Sequence, residues 1–215
     1  MSRWMALLVI LGAIAGCVRL RIPAPEVRNY RLDYPPPAIT GARLPVVLRI
    51  APLGVAAIYD RQPIVYREDQ YSTGTYFSSR WSATPGSMIA DLVARDLADS
   101  KLYRAVEQGP SVLPSDYMVT GEIEEIEERT VTTGCAAHLR LRITVVPARR
   151  SSAGPVLMNS TYSEDEPSPC DEPRALAEAM SRVLARVSAQ MQHDVYEAVA
   201  ADVGSRSTNP ALSTP

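Results

Sequence analysis

The run His138-Leu139-Arg140-Leu141-Arg142-Ile143-Thr144-Val145-Val146 alternates without a fault: Leu139, Leu141, Ile143 and Val145 fall on one side, and His138, Arg140, Arg142 and Thr144 on the other. A period of two sends successive side chains to opposite faces of a strand. One apolar face and one charged face are what an antiparallel strand with a single buried face requires. Upstream, Tyr117, Val119, Gly121 and Ile123 keep the same period, and the phase then slips to Ile126, which marks a bulge or a strand end. Downstream, residues 156–162 make a third strand. Turns at Thr132-Thr133-Gly134 and at 151–155 join the three into an antiparallel meander.

Working outward, the period changes. Thr84-Pro85 reads as an N-cap followed by proline at N1. Ile89, Leu92, Val93 and Leu97 then recur at helical spacing up to about Ser100. Asp171 is a good N-cap for a second, long helix whose stripe is Leu176, Met180, Val183, Val187 and Met191, ending near Gly204. Further strands are expected at 46–52, 64–67, 71–77 and 103–107, with Gly74 as a bulge or close-approach point. The fold is a single α+β domain with two helices on one face of a mainly antiparallel sheet, over residues 45–204. Residues 17–44 hold five prolines among arginines and read as a partly extended tether, within which Tyr30-Arg31-Leu32 can pair as a short strand. Residues 205–215 are rich in Ser, Thr and Pro and read as a disordered tail.

Composition sets the outer bounds. The chain has 215 residues, 46% of them hydrophobic and 21% charged, which excludes wholesale disorder and a coiled-coil rod. A net charge of −2, from 22 basic and 24 acidic residues, leaves no basic stripe, so nucleic acid is not an expected partner. Lys101 is the only lysine, and 18 prolines accompany a single phenylalanine.

The N-terminus reads as an address. Arg3 precedes an apolar run over residues 5–15 that is too short to span a bilayer and suits a secretory h-region. It ends in Ile14-Ala15-Gly16-Cys17, which resembles the bacterial lipobox. Residues 1–16 would then be a lipoprotein signal peptide, removed before acyl chains, palmitate among them, tether Cys17 to a membrane. The competing readings are a plain signal peptide with a chance cysteine and a short N-terminal anchor. Val18, rather than Asp, follows the cysteine; by resemblance to enteric lipoproteins this implies the outer membrane, with the domain facing the periplasm, and inner-membrane retention is the other address. In that oxidising compartment Cys135 and Cys170 are left as a pair at the same end of the meander, and a disulfide is expected. The alternative is two free thiols.

Catalytic chemistry is not expected. His138 and His193 are the only histidines, and no nucleophile elbow, phosphate-binding glycine loop, Cys-x-x-Cys pair or metalloprotease motif occurs. Two cysteines without a histidine pair fall short of a zinc site, so neither metal nor cofactor is expected. Glu122, Glu124, Glu125, Glu127 and Glu128 form the densest acidic cluster. Paired carboxylates could serve glycoside chemistry, but Glu122 and Glu124 pairing across to Arg140 and Arg142 as a surface ladder is the better account.

Residues 59–81 are the richest in aromatics and arginine. Tyr59, Arg61, Tyr66, Arg67, Tyr71, Tyr76 and Phe77 have the composition of an interface hot spot. Trp81 is expected in the core beneath the first helix, and the tyrosines at half-exposed positions with wet hydroxyls.

Several of these segments, in order, resemble one family. They are Tyr30-Arg31-Leu32-Asp33-Tyr34-Pro35, Leu48-Arg49-Ile50-Ala51-Pro52-Leu53, Tyr59-Asp60-Arg61-Gln62-Pro63-Ile64-Val65-Tyr66-Arg67, Tyr71, Arg80-Trp81 and Leu102-Tyr103-Arg104-Ala105-Val106. The chain resembles the auxiliary lipoproteins of ABC-type transport systems, in particular the PqiC-like group that accompanies MCE-type intermembrane lipid transporters. That resemblance implies a fold similar to the N-terminal domain of TolB-like proteins. Its implied partners are an MCE-type substrate-binding protein with its permease and ATPase, and a homo-oligomer is possible. The implied role is docking in the movement of phospholipids or other hydrophobic molecules between the two membranes. Ala83-Thr84-Pro85-Gly86 departs from the family pattern, where an acidic residue and a leucine are common. Rival readings are a TolB-like lipoprotein of polysaccharide secretion or outer-membrane assembly, and a carrier that itself holds lipid.

Overall fold

The computed structural model describes residues 26–109, 114–148 and 155–208. Cys17, the signal segment, most of the 151–155 turn and residues 209–215 lie outside the described residues. In chain order the elements are β1 (Arg28–Tyr30), β2 (Leu44–Ile50), β3 (Gly54–Val55), β4 (Pro63–Arg67), β5 (Thr73–Trp81), α1 (Pro85–Asp99), β6 (Tyr103–Gln108), β7 (Tyr117–Val131), β8 (Gly134–Pro147), β9 (Met158–Ser168) and α2 (Pro173–Thr208).

The meander β7–β8–β9 is the spine. β8 pairs antiparallel with β7 along its whole length, from Tyr117↔Pro147 to Val131↔Gly134, and with β9 from Cys135↔Ser168 to Val145↔Met158. The phase slip after Ile123 is a bulge at Glu124, which lets Ile123 and Ile126 both stay buried. With one edge of β7 taken by β8, the other is shared by three short strands, one after another. β2 meets it at Tyr117–Val119, β3 at Glu122–Ile123 and β4 at Glu128–Arg129, all parallel. The sheet therefore splits into two wings, β2–β6 at one end of the spine and β4–β5–β1 at the other. The long ladders are antiparallel, as the alternation predicts. The short parallel ones are a feature that the pattern of single strands did not reveal.

Both helices cover the apolar face and touch each other; α1 lies over β6, β7 and β2, and α2 over β8 and β9, reaching β1. Leu139, Leu141, Ile143 and Val145 are fully buried against the α2 stripe of Leu176, Met180, Val183, Val187 and Met191. Thr84 takes the N-cap position of α1 in extended geometry, and its hydroxyl bonds Ser87 Oγ (2.7 Å) rather than a backbone amide. Trp81 is buried, as expected.

Four expectations need correction. Asp171 does not cap α2: it takes a left-handed φ of 57° one residue early, and the carbonyl of Glu172 accepts the first helical bond, from Leu176. α2 runs on through Ser205–Thr208, beyond Gly204. The short N-terminal strand is Arg28–Tyr30, parallel to the end of β5. The segment after it is integrated rather than free, because Leu32 and Tyr34 are buried and the Asp33 amide donates to Ser181 Oγ (3.1 Å). Its anchor is the fully buried Asp96 of α1. That carboxylate accepts the Tyr34 hydroxyl at 2.6 Å and the Ser188 hydroxyl, and pairs with Arg95 (2.7 Å), whose guanidinium stacks over the Tyr34 ring.

Candidate docking surface

The hairpin β4–β5 carries most of the aromatic and arginine residues singled out by composition, and it divides them. At its tip the Asp69 carboxylate accepts the backbone amides of Tyr71 (2.7 Å) and Ser72 (2.8 Å). The first of these bonds lowers the Asp69 pKa. This local turn, which the side chain of a turn aspartate favours, leaves Tyr71 89% exposed. Phe77, the only phenylalanine of the chain, is 82% exposed. It lies where β5 bulges away from β4, between the pairs Val65↔Thr75 and Pro63↔Arg80. β1 covers the outer edge of β5 only at Ser79–Trp81, so among the described residues Thr73–Ser78 have no strand partner on that edge. Arg61 is exposed in the loop before β4.

Tyr66 and Tyr76 lie between surface and core. Their rings meet edge to face at 5.4 Å, and an added Cβ on Gly74 would fall 2.4 Å from the Tyr66 ring. Gly74 is therefore the close-approach point. Tyr76 donates to Glu128 Oε1 (2.9 Å). Burial, and then that hydrogen bond, raise the Tyr76 phenol well above its ordinary pKa; burial likewise raises the Glu128 carboxyl. These residues line a cleft of about 520 Å³ with Arg67, Glu68, Phe77, Asp171 and the disulfide Cys135–Cys170. The bridge joins the start of β8 to the loop before α2, with the Cα atoms 5.1 Å apart.

Of the expected surface residues Tyr59 turns inward, and Arg67 is half-buried. Tyr59 is only 3% exposed and donates to Glu127 Oε2 (2.6 Å) while accepting from Arg67 (3.1 Å). Burial first, and the bond to Glu127 second, push its phenol up to about 12. The Arg67 guanidinium pairs with Glu127 (2.8 Å) and Glu125 (3.6 Å). They belong to a network on the charged face with Arg129, and with His138, whose Nδ1 lies 2.9 Å from Asp165. Farther along that face Arg140 and Arg142 pair with Glu124 (2.6 and 2.8 Å), and Arg142 also with Glu122. The acidic cluster is thus partitioned: four glutamates pair with arginine, and Glu128 faces the cleft. His193 is exposed on α2.

Composition missed one regularity. Tyr34, Tyr59, Tyr76, Tyr117 and Tyr162 each donate to a carboxylate, those of Asp96, Glu127, Glu128, Asp202 and Asp194. Their hydroxyls are satisfied by protein instead of water, and no sequence spacing announces it because the partners are 32 to 85 residues away. Among the described residues no three His, Cys, Asp or Glu side chains group as a metal site, and no helix is long and apolar enough to cross a membrane.

This architecture occurs in solved structures. A Xanthomonas campestris protein of the DUF330 family is 22% identical and superposes with a TM-score of 0.69 over 85% of this chain and 98% of its own. An uncharacterized protein is 12% identical with a TM-score of 0.63, over 80% and 99%. At these identities the likeness is one of fold. No curated protein matches the sequence. The family model described as ABC-type transport auxiliary lipoprotein component matches residues 30–192, from the end of β1 to just past the middle of α2. With three quarters of its length inside that match, the chain belongs to the ABC-type transport auxiliary lipoprotein family.

Proposed function

We propose that the chain is a lipoprotein held by acylated Cys17 at the outer membrane, with its domain in the periplasm. There it docks an MCE-type substrate-binding protein and its permease and ATPase. The system moves phospholipids or other hydrophobic molecules between the two membranes. Family membership supports a transport auxiliary rather than an enzyme. The docking face is the outer edge of β5 with Tyr71, Phe77, Arg61 and the rims of Tyr66 and Tyr76. Tyr59 and Arg67 support it from beneath.

The observation that carries this reading is the placement of Phe77. A folded chain gains about 1.5–3 kcal/mol by burying a phenylalanine, yet the only one here is 82% exposed on an unpaired strand edge. Exposed aromatics beside arginine are the anchors that interfaces use. In a Tyr71→Ser, Phe77→Ser double variant, capture of the transporter subunits from membranes should fall by about tenfold or more, the effect of losing one hot spot, with melting temperature unchanged. Undiminished capture would refute this surface.

A further inference from the structure

The cleft beside β5 contains a buried carboxylate with one oxygen left open. Glu128 is 4% exposed; its Oε1 accepts the Tyr76 hydroxyl and the Asp171 backbone amide lies beside the carboxylate, but Oε2 has no hydrogen-bond partner. A buried acceptor left without a donor is costly, and native structures seldom tolerate one without a role. The surroundings select the chemistry of the donor. Glu68 and Asp171 add negative charge at the rim, while the one cation of the lining, Arg67, is paired with Glu127 and Glu125. The walls include Tyr66, Tyr76 and Phe77, whose π faces attract cations. About 520 Å³ accommodates one long side chain, and the neighbouring edge at Thr73–Ser78 offers backbone N–H and C=O groups to an extended strand.

We propose that this cleft receives a lysine or arginine side chain from an extended segment of the docking partner. The N–H groups of that side chain bond Glu128 Oε2 while its stem lies against the Tyr66 and Tyr76 rings. The inference rests on the docking reading and specifies the partner's chemistry: a basic residue on a strand that adds to β5.

The test is a titration of the full chain, ¹⁵N-labelled in nonionic detergent, with N-acetyl-argininamide. Its neutral isostere N-acetyl-citrullinamide and vesicles of phosphatidylethanolamine serve as separate arms. Saturable shifts at Gly74, Tyr76 and Asp171 with the arginine probe, and none with citrulline, are expected. Glu128→Gln should weaken that binding about tenfold, the factor carried by one charge-assisted hydrogen bond. Its carboxamide oxygen still accepts the Tyr76 hydroxyl, so the fold is kept. Equal shifts with citrulline, or equal binding by Glu128→Gln, would overturn the proposal; so would shifts with the vesicles alone, which would make the cation a lipid headgroup. Capture of transporter subunits separates the two readings. If Glu128→Gln captures them fully while Tyr71→Ser, Phe77→Ser does not, docking stands and the cation pocket falls.

Discussion

Asp96 shows what a single side chain does here. It sits on the buried face of α1 with no exposed surface, where an unpaired carboxylate would cost several kcal/mol. Tyr34, Ser188 and Arg95 together make it tolerable. Tyr34→Phe removes one donor from that carboxylate and should cost about 1–3 kcal/mol in urea unfolding. The buried tyrosines also predict a pH dependence. The Tyr59 phenol titrates at about 12 in the folded chain against 10.0 ordinarily, so the unfolded chain releases its proton first. The stability it contributes is complete below pH 10 and is lost as pH rises toward about 12. Chemical denaturation across that range should show a shallower loss for Tyr59→Phe than for the parent chain. A local loss that leaves the stability curve unchanged would show that this phenol is not shielded. The stripes holding Asp96 were legible; Asp96 itself was not, since a lone aspartate on a helix looks solvated until its partners arrive from 62 and 92 residues away.

At the scale of the element, β7 and its glycine explain how one strand serves two masters. An added Cβ on Gly121 would lie 2.1 Å from the Arg142 carbonyl oxygen, whereas at Gly74 it would meet the end of the Tyr66 ring. Backbone cannot yield as a ring can. Gly121→Ala should therefore cost about 3 kcal/mol or more and Gly74→Ala about 1 kcal/mol, read as shifts in urea midpoint. The Cys135–Cys170 bridge closes a separation of 35 residues. In the chain-entropy model its loss in Cys135→Ser, Cys170→Ser costs about 4 kcal/mol. The meander, the bulge after Ile123, the turn before Gly134 and both helical stripes could be read directly, because each is a periodic pattern tied to burial of one face. The cap of α2 could not: Asp171 is the residue type that favours an N-cap, but its left-handed φ of 57° takes it out of cap geometry, and Glu172 accepts the first helical bond instead.

For the whole molecule, the N-terminal segment is part of the body. A chain beginning at Arg28 keeps β1, Leu32 and Tyr34 and should melt with the parent. One beginning at Arg43 loses two buried side chains and the donor to Asp96, and should melt about 10 °C lower. Equal melting of both would show that this segment only rests on the helices. The sequence by itself determined the antiparallel spine, the two helices with their buried stripes, the Glu–Arg ladder and the core position of Trp81, all of which follow from short-range periodicity or from direct cross-strand neighbours. It left Cys135 and Cys170 as an expected bridge beside the alternative of two free thiols, and the tertiary structure joins them. Only the tertiary structure decided the rest: three short strands sharing one edge of β7, five tyrosines finding carboxylates, Tyr59 turning inward while Phe77 turns out, and Glu128 left facing a cleft. Edge sharing and side-chain pairing depend on register between segments tens of residues apart, and a burial pattern along one strand carries no information about what lies across its edge.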